Sequence, residues 1–479
     1  MSYYSRPLLM VMLTTLLGCA PAIKEGAPMI KTVKMPDHLI HTNAAVKANQ
    51  DDWPMDEWWK IFKNQQLNKL IQSALKDSPT VAEASSRLSI AQAGLMQTAA
   101  VQFPRIDSEA KATNLHYSRN GDHGTYNGQT NTVATFNPLV VNYHPDFFGK
   151  DKEIIDSASA SVEIAHAKLN ESAIRLRQSV IKTYFSLKIA DEIILTQLQV
   201  LELAKDIEKV KICAYQSGIQ PTAYTFLPNL YVSETKVSLA TVKQKKSALL
   251  YALANLLGNG PDSTVALTPE MLVIPEQLPI PKTINLDAIA KRPDIQAALW
   301  NIHYATHVEK AAQLDFYPNI NLSALLGLNS IGISNLFKSG SVNYAVGPVL
   351  SLPIFDHGAL QGKFAASAAA YDAAVFVYNQ TILNAAKEVA TNLANLDHTK
   401  NILEEQSSVL QQRIELANSA TAEYNSGLSD KIPDLEAKII QKNAYIELLQ
   451  ARLQWLYAIT DMATALDGKF QEAVNDAKN

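Results

Sequence analysis

The chain has 479 residues, enough for a large core or several domains, and 18% of them are charged, below the ~25% usual for soluble domains. Hydrophobic residues are an ordinary 47%, so neutral side chains such as Ser, Asn, Gln and Thr carry much of the polarity. The net charge of −4 argues against a nucleic-acid binder, and the densest basic run, Lys243-Gln244-Lys245-Lys246, reads as a solvated helix face.

The chain opens with Arg6 and a free amine ahead of an apolar stretch, Pro7–Leu17. That stretch has the size of a signal h-region and is too short to span a bilayer as a helix. Leu16-Leu17-Gly18-Cys19 follows and resembles a bacterial lipobox. Residues 1–18 are then a lipoprotein signal peptide, and Cys19 is the lipid attachment site, palmitate included. Several acyl chains at about 0.8 kcal/mol per buried CH₂ would hold the chain on a membrane. Ala20 is not the Asp that retains lipoproteins at the inner membrane, so sorting to the outer membrane is allowed. Residues 19–66 form a lipid-anchored extension. The second cysteine, Cys213, cannot pair with a lipidated Cys19 and is expected to pack on a helix.

The rest of the chain is two copies of one unit. Pro79 and Pro293, Ala84 and Ala298, Leu88 and Ile302, Ala91 and Ala305, and Pro104 and Pro318 all match at one spacing. Beyond them the spacing shortens by about one turn. There Val180 matches Val389, Ile207 matches Leu416, and Tyr215-Gln216-Ser217-Gly218 matches Tyr424-Asn425-Ser426-Gly427. The expected first repeat is 67–258 and the second 284–468. Residues 259–283, rich in Pro and Gly, form an equatorial belt segment between them, and 469–479 a tail.

Each copy begins with a helix, Leu67–Gln102 and Leu286–Leu314, with Pro79 and Pro293 set to break or begin the helical run. Phe103-Pro104 and Tyr317-Pro318 stop these helices. A period of two follows. Arg105, Asp107, Glu109, Lys111 and Thr113 share one face, opposite Ile106, Ser108, Ala110 and Ala112. In copy two, Ile320, Leu322, Ala324, Leu326 and Leu328 share a face, and Tyr344, Val346, Pro348, Leu350, Leu352 and Ile354 repeat the pattern. Runs of about ten residues with one wet and one apolar face suit tilted membrane strands. Between Lys150 and Gly218, and again between Lys363 and Gly427, there is neither Pro nor Gly. Each run predicts a helix of about 100 Å with coiled-coil rather than lipid-facing composition. Each ends at Tyr-x-Ser-Gly, a glycine C-cap. Shorter helices, Pro228–Leu257 and Asp430–Leu466, return. Two strands per copy cannot close a barrel, so strands in a membrane require an oligomer.

These residues resemble the TolC-like outer-membrane factors of tripartite efflux systems, in their OprM-like lipoprotein branch. Lys291-Arg292-Pro293-Asp294-Ile295 looks like that family's RRPD motif. Phe316-Tyr317-Pro318-Asn319-Ile320 and the stretch from Gly347 to Asp356 look like its FP-x-I and GP-x-LS-x-PIFD strings. Asp146-Phe147-Phe148-Gly149-Lys150 looks like DLFGR. His144-Pro145 departs from the usual Glu-Leu before that motif, Leu299 replaces a common Glu, and the usual GPDY is missing. The resemblance implies a mainly α protein with transmembrane β. Its homotrimer would have a 12-stranded β-barrel, four strands per protomer, continuous with a long periplasmic α-helical barrel. The implied partners are a periplasmic adaptor and an inner-membrane RND-type pump, and the implied function is multidrug efflux through a channel that does no chemistry.

The resemblance also places a periplasmic gate at Ile432 and Glu436, an i,i+4 pair on one helix face, with Asp430 and Asp434 adding charge. Three copies of Glu436 around an axis would attract cations. The helix-tip turns are Tyr215, Gly218, Tyr424 and Gly427, and the copy-one tip beyond Gly218 is apolar, suited to an adaptor or to packing. No catalytic motif is present and no cofactor is expected. His303 and His307 have metal-ligand spacing but lack the Glu of HExxH, and read as a solvated face. The alternatives are a type I secretion outlet and a periplasmic helical lipoprotein tether without a pore. The period-two segments argue against the tether.

Overall fold

The computed structural model describes residues 21–24, 26–30, 57–261, 263 and 289–466. The signal segment, Cys19, most of the belt and the C-terminal tail lie outside the described residues. The elements in order are α1 (Gln65–Asp77), α2 (Pro79–Ala99), β1 (Arg105–His116), β2 (Thr130–Tyr143), α3 (Lys150–Gln216) and α4 (Ala223–Leu256), then α5 (Pro293–Leu314), β3 (Asn319–Ile331), β4 (Val342–Ser351), α6 (Ala359–Asn425) and α7 (Lys431–Leu466). The plan helix, two strands, long helix, return helix therefore occurs twice. Among the described residues no helix is long and apolar enough to cross a membrane. The chain divides into a sheet unit, 1–29, 87–165 and 297–378, and a helical unit, 30–86, 166–296 and 379–479.

In the sheet unit the four strands form one antiparallel meander, β1-β2-β3-β4. Register carries the expected faces across it. Ile106 lies opposite Val141, Val141 opposite Ala324, and Ala324 opposite Val346. Lys111, Thr135 and Asn329 make a polar row on the other face. On the apolar face Tyr344 is 80% exposed and Val346 81%.

The register shifts on both sides of β2 at the same place, where Asn137, Pro138 and Leu139 face too few partners. Pro138 has no N–H to give the ladder, so a bulge is the tolerated solution. Gly327 makes room there, since a Cβ on it would lie 2.0 Å from Asn137 Oδ1. β4 ends at Ser351, just before Pro353, so Leu352 and Ile354 fall beyond the strand that the alternation predicts.

The long helices start alike. Asp146 Oδ2 accepts from Lys152 N at 2.9 Å, and Asp356 Oδ2 from Leu360 N at 2.7 Å. Gly149 and Gly358 take positive φ just ahead of each first turn. α6 begins four residues before the predicted Lys363 and includes Gly362. In the same unit Asp315 is held by Lys150 at 2.6 Å and Lys363 at 2.5 Å. Burial opposes its ionisation, but these two ammonium groups prevail and hold its carboxyl below the ordinary range. The segment around Ala27 docks here too, its N–H donating to Asp372 Oδ1 at 2.8 Å.

In the helical unit, burial on α3 recurs at seven-residue spacing: Ala173, Val180 and Leu187 are all fully buried. Along α6 the series is Ile382, Val389 and Leu396, also fully buried. This is the coiled-coil period. α3 is covered on two sides. Val200 and Ile207 pack with Leu435 and Ile439 of α7, and Leu201 and Ala204 pack with Val232 and Leu239 of α4.

A 3-10 turn, Trp58–Phe62, inserts Phe62 edge-on to Phe185 at 4.7 Å between ring centroids. Asn64 then caps α1, accepting from Leu67 N at 2.7 Å. The predicted Leu67–Gln102 helix is broken at Ser78, whose ψ of 127° is the extended conformation that a following proline imposes. α4 starts at Ala223 and runs through Pro228, which the prediction had placed at its start; near a helix N-terminus a proline forfeits little.

Candidate functional site

The two long helices end in the same way, and the cause is one residue type. Gly218 and Gly427 adopt φ of 71° and 75°. Beside them Ile219 N donates to Ala214 O and Gly218 N to Tyr215 O, both at 3.0 Å. Leu428 N to Glu423 O and Gly427 N to Tyr424 O repeat the pair at the same 3.0 Å. This is the Schellman arrangement, which satisfies carbonyls a helix end would otherwise leave open.

Past the second turn, Asp430 Oδ1 accepts from Ile432 N at 2.9 Å and starts α7. Ile432 is half-buried and Glu436, one turn on, is exposed. Glu436 stands at an open cleft with Ile439 and Ile440 of its own helix, Ala204, Ile207 and Lys211 of α3, and Leu227, Pro228 and Tyr231 of α4. One carboxylate over an apolar floor can hold a cation or the polar end of an amphiphile.

Asp434 does not contribute the open charge the sequence suggested. It is 3% exposed, accepts from Thr421 Oγ1 at 2.5 Å and from Lys438 Nζ at 2.8 Å. Burial works against its ionised form, and the Lys438 and Thr421 bonds overcome that and lower its pKa. Its role is to tie α7 to α6. Beyond the first turn, Ile219, Phe226 and Leu227 are 73%, 65% and 72% exposed, an apolar surface with Tyr224 beneath Lys211. Cys213 is exposed near that turn, not packed as expected.

A second centre is the Arg292 network, which sequence reasoning saw only as a motif. Arg292 is 9% exposed. It grips Asp294 with Nε at 3.1 Å and Nη2 at 2.9 Å, reaches Glu388 Oε2 at 2.7 Å, and donates to Ala465 O at 2.8 Å. One guanidinium thereby joins the start of α5, the middle of α6 and the end of α7. His307 is also not a plain solvated residue: its Nδ1 lies 2.6 Å from Glu153 Oε2. His303 sits instead beside Trp300, at 5.1 Å between centroids.

A duplicated helix–strand unit, an open four-stranded meander with an apolar face, and helices with the coiled-coil period are the architecture of outer membrane channel proteins. The chain belongs to the outer membrane efflux protein family, whose model matches residues 70–258 and 286–468. It is 26% identical to the multidrug resistance outer membrane protein MdtQ of Escherichia coli O157:H7, over 98% of this chain and 99% of that one. The outer membrane protein VceC of Vibrio cholerae superposes with a TM-score of 0.77 at 26% identity, covering 88% of this chain and all of that one. The CmeC outer membrane channel of Campylobacter jejuni gives a TM-score of 0.85 at 20% identity, over 96% and 97% of the two chains. The protein is therefore an outer membrane efflux protein, with the mixed helical and β architecture the sequence implied.

Proposed function

We propose that three copies of this chain form the outer-membrane outlet of a tripartite efflux pump. Substrates, drugs or other small molecules, pass from a periplasmic adaptor and an inner-membrane RND-type pump, through a periplasmic helical tunnel and a 12-stranded barrel, to the exterior. The sheet carries this reading. Within one chain β1 and β4 are edge strands, and the meander shows an apolar face. Such a sheet is stable in a bilayer only when its edges are closed, and three copies supply the strands a barrel requires.

An exposed seam supports the trimer. Ile402, Val409 and Leu416 stand seven residues apart on α6 and are 53%, 41% and 56% exposed. The tip turns Tyr215–Gly218 and Tyr424–Gly427 are the surface for the adaptor, and Cys19 is the lipid anchor. Ile432 and Glu436 form the periplasmic gate, the exposed carboxylate giving the closed mouth a cation-attracting ring.

The test is conductance of the purified protein in planar bilayers. Glu436→Ala is expected to reduce cation selectivity or raise conductance. Wild-type behaviour in that variant would remove the gate assignment, and absence of any trimer or conductance in the wild type would remove the channel reading.

A further inference from the structure

Where β2 hands over to α3, three ligand-type side chains converge. His144, Asp146 and Asp151 each place one N or O atom within 4.8 Å of the other two. His144 Nδ1 lies 3.1 Å from the carbonyl of Ile320 and 3.0 Å from Asn321 Oδ1. Asn321 is oriented by its own amide, which donates to Asn319 Oδ1 at 3.0 Å. A carbonyl only accepts, so Nδ1 carries the ring proton. In the neutral imidazole, Nε2 is then a lone pair.

That lone pair faces Asp151 Oδ2 at 3.4 Å. Asp151 is 8% exposed, and its Oδ2 has no hydrogen-bond partner. Burial raises the pKa of Asp151; with its carboxylate ionised and the imidazole neutral, two acceptors confront each other in a buried place, which costs free energy unless a proton or a metal ion lies between them. Lys150, beside Asp151 in sequence, is engaged by Asp315 at 2.6 Å.

The spacing fits a metal ion. Ligands bonded at about 2.0–2.1 Å to a tetrahedral ion lie roughly 3.3–3.4 Å apart, the separation seen between Nε2 and Oδ2. A ligating histidine typically gives its other N–H to a carbonyl, which fixes the tautomer and aims the ligand; Ile320 does that here. One imidazole with two carboxylates suits zinc or a similar borderline dication better than Ca²⁺ or Mg²⁺, which prefer oxygen alone. The Glu153–His307 pair differs, because those two groups already satisfy each other at 2.6 Å.

We propose that His144, Asp146 and Asp151 form a divalent transition-metal site that clamps the end of β2, and through Ile320 the start of β3, to the first turn of α3.

The experiment is calorimetric titration of ZnCl₂ into the full-length, tag-free protein, purified in detergent and freed of metal with a chelator. One zinc per protomer is expected. His144→Gln and Asp151→Asn, the second nearly isosteric, each remove a ligand and are expected to weaken binding by at least the roughly 10–100-fold that loss of an outer-shell partner costs, or to abolish it. His307→Gln is expected to bind as the wild type does. Zinc should raise the thermal midpoint of the wild type and leave that of His144→Gln unchanged. The proposal is overturned if the wild type takes up no zinc, or if His144→Gln and Asp151→Asn bind it as the wild type does. It is overturned equally if His307→Gln is the variant that loses it. None of these results bears on conductance, so the channel reading is tested separately.

Discussion

Replacing Arg292 with Met removes a single charge and keeps most of the aliphatic stem in place. It also removes four hydrogen bonds, two to Asp294, one to Glu388 and one to the Ala465 carbonyl. Losing one partner of a fully buried pair costs about 3–5 kcal/mol. Here the Asp294 and Glu388 side chains are 27% and 47% exposed, so they regain water and the ionic part shrinks toward the ~1 kcal/mol of surface pairs. The Ala465 carbonyl has no such relief, and leaving it unpaired costs about 1–3 kcal/mol. The expected destabilisation is therefore about 2–4 kcal/mol, a drop in thermal midpoint of about 3–7 °C for a unit of this size. The assay is a circular-dichroism melt in detergent, followed in parallel by tryptophan emission, since Trp455 on α7 is fully buried. Arg292→Lys should recover less than half of the loss, because an ammonium cannot reproduce the planar fork that holds Asp294, Glu388 and a carbonyl together. An unchanged melt for Arg292→Met, or full recovery by Lys, would refute the view that the guanidinium joins three helices.

Asp315→Asn should destabilise the sheet unit at neutral pH by about 1–2 kcal/mol, a modest figure because Lys363 is 63% exposed. A carboxyl whose folded pKa lies below 3.8 stabilises above that value and loses its contribution as pH falls through the lowered one. Wild type and variant melts should therefore converge in strong acid, and a constant gap at all pH would contradict the ion-pair origin. Gly327→Ala would drive a Cβ into Asn137 Oδ1 at 2.0 Å and toward the Phe136 carbonyl at 3.0 Å; it should cost about 1–3 kcal/mol, read as a lower temperature for loss of heat-modifiable mobility on gels. Val409→Asp should abolish the trimer band in unboiled gels while leaving monomer helicity unchanged, since Val409 is 41% exposed in one chain. Persistence of the trimer would remove that seam from the interface.

Much of the fold was legible because its punctuation is chemical. Pro104 and Pro318 are followed at once by strands, and the Tyr-x-Ser-Gly turns end both long helices, because proline and left-handed glycine act locally. What was not legible depends on partners far along the chain. The bulge of β2 at Pro138 depends on both neighbouring strands. Asp434 is one of several acids near a turn until Thr421 and Lys438 close around it. Cys213 reads as apolar yet faces outward, since helix face is decided by what α4 and α7 cover. Of the proposed gate, the i,i+4 placement of Ile432 and Glu436 was readable, while the cleft at Glu436 is built with α3 and α4 and was not. His144 was noticed only as a departure. Its meaning lies in the Ile320 carbonyl, which chooses the tautomer and so aims Nε2 at Asp151.

The duplication also bears on how copies associate. Val200 and Val409 are repeat equivalents, as are Ile207 and Leu416. In the first copy they are 2% and 7% exposed, and in the second 41% and 56%. The difference is in cover on α3, which packs here against both α4 and α7. Among the described residues α6 keeps an open apolar row at Val409 and Leu416. The first copy offers a matching surface, because Leu230, Val237 and Tyr251 on α4 fall on a seven-residue grid and are 53%, 66% and 57% exposed. An α4 from one chain seated on α6 of the next joins two different surfaces, and a heterologous contact of that kind must either close into a ring or run on as a filament. A sheet that wants its two edges closed selects the ring. In the proposed trimer, the asymmetry between the copies that leaves Val409 bare would supply one side of that closing contact.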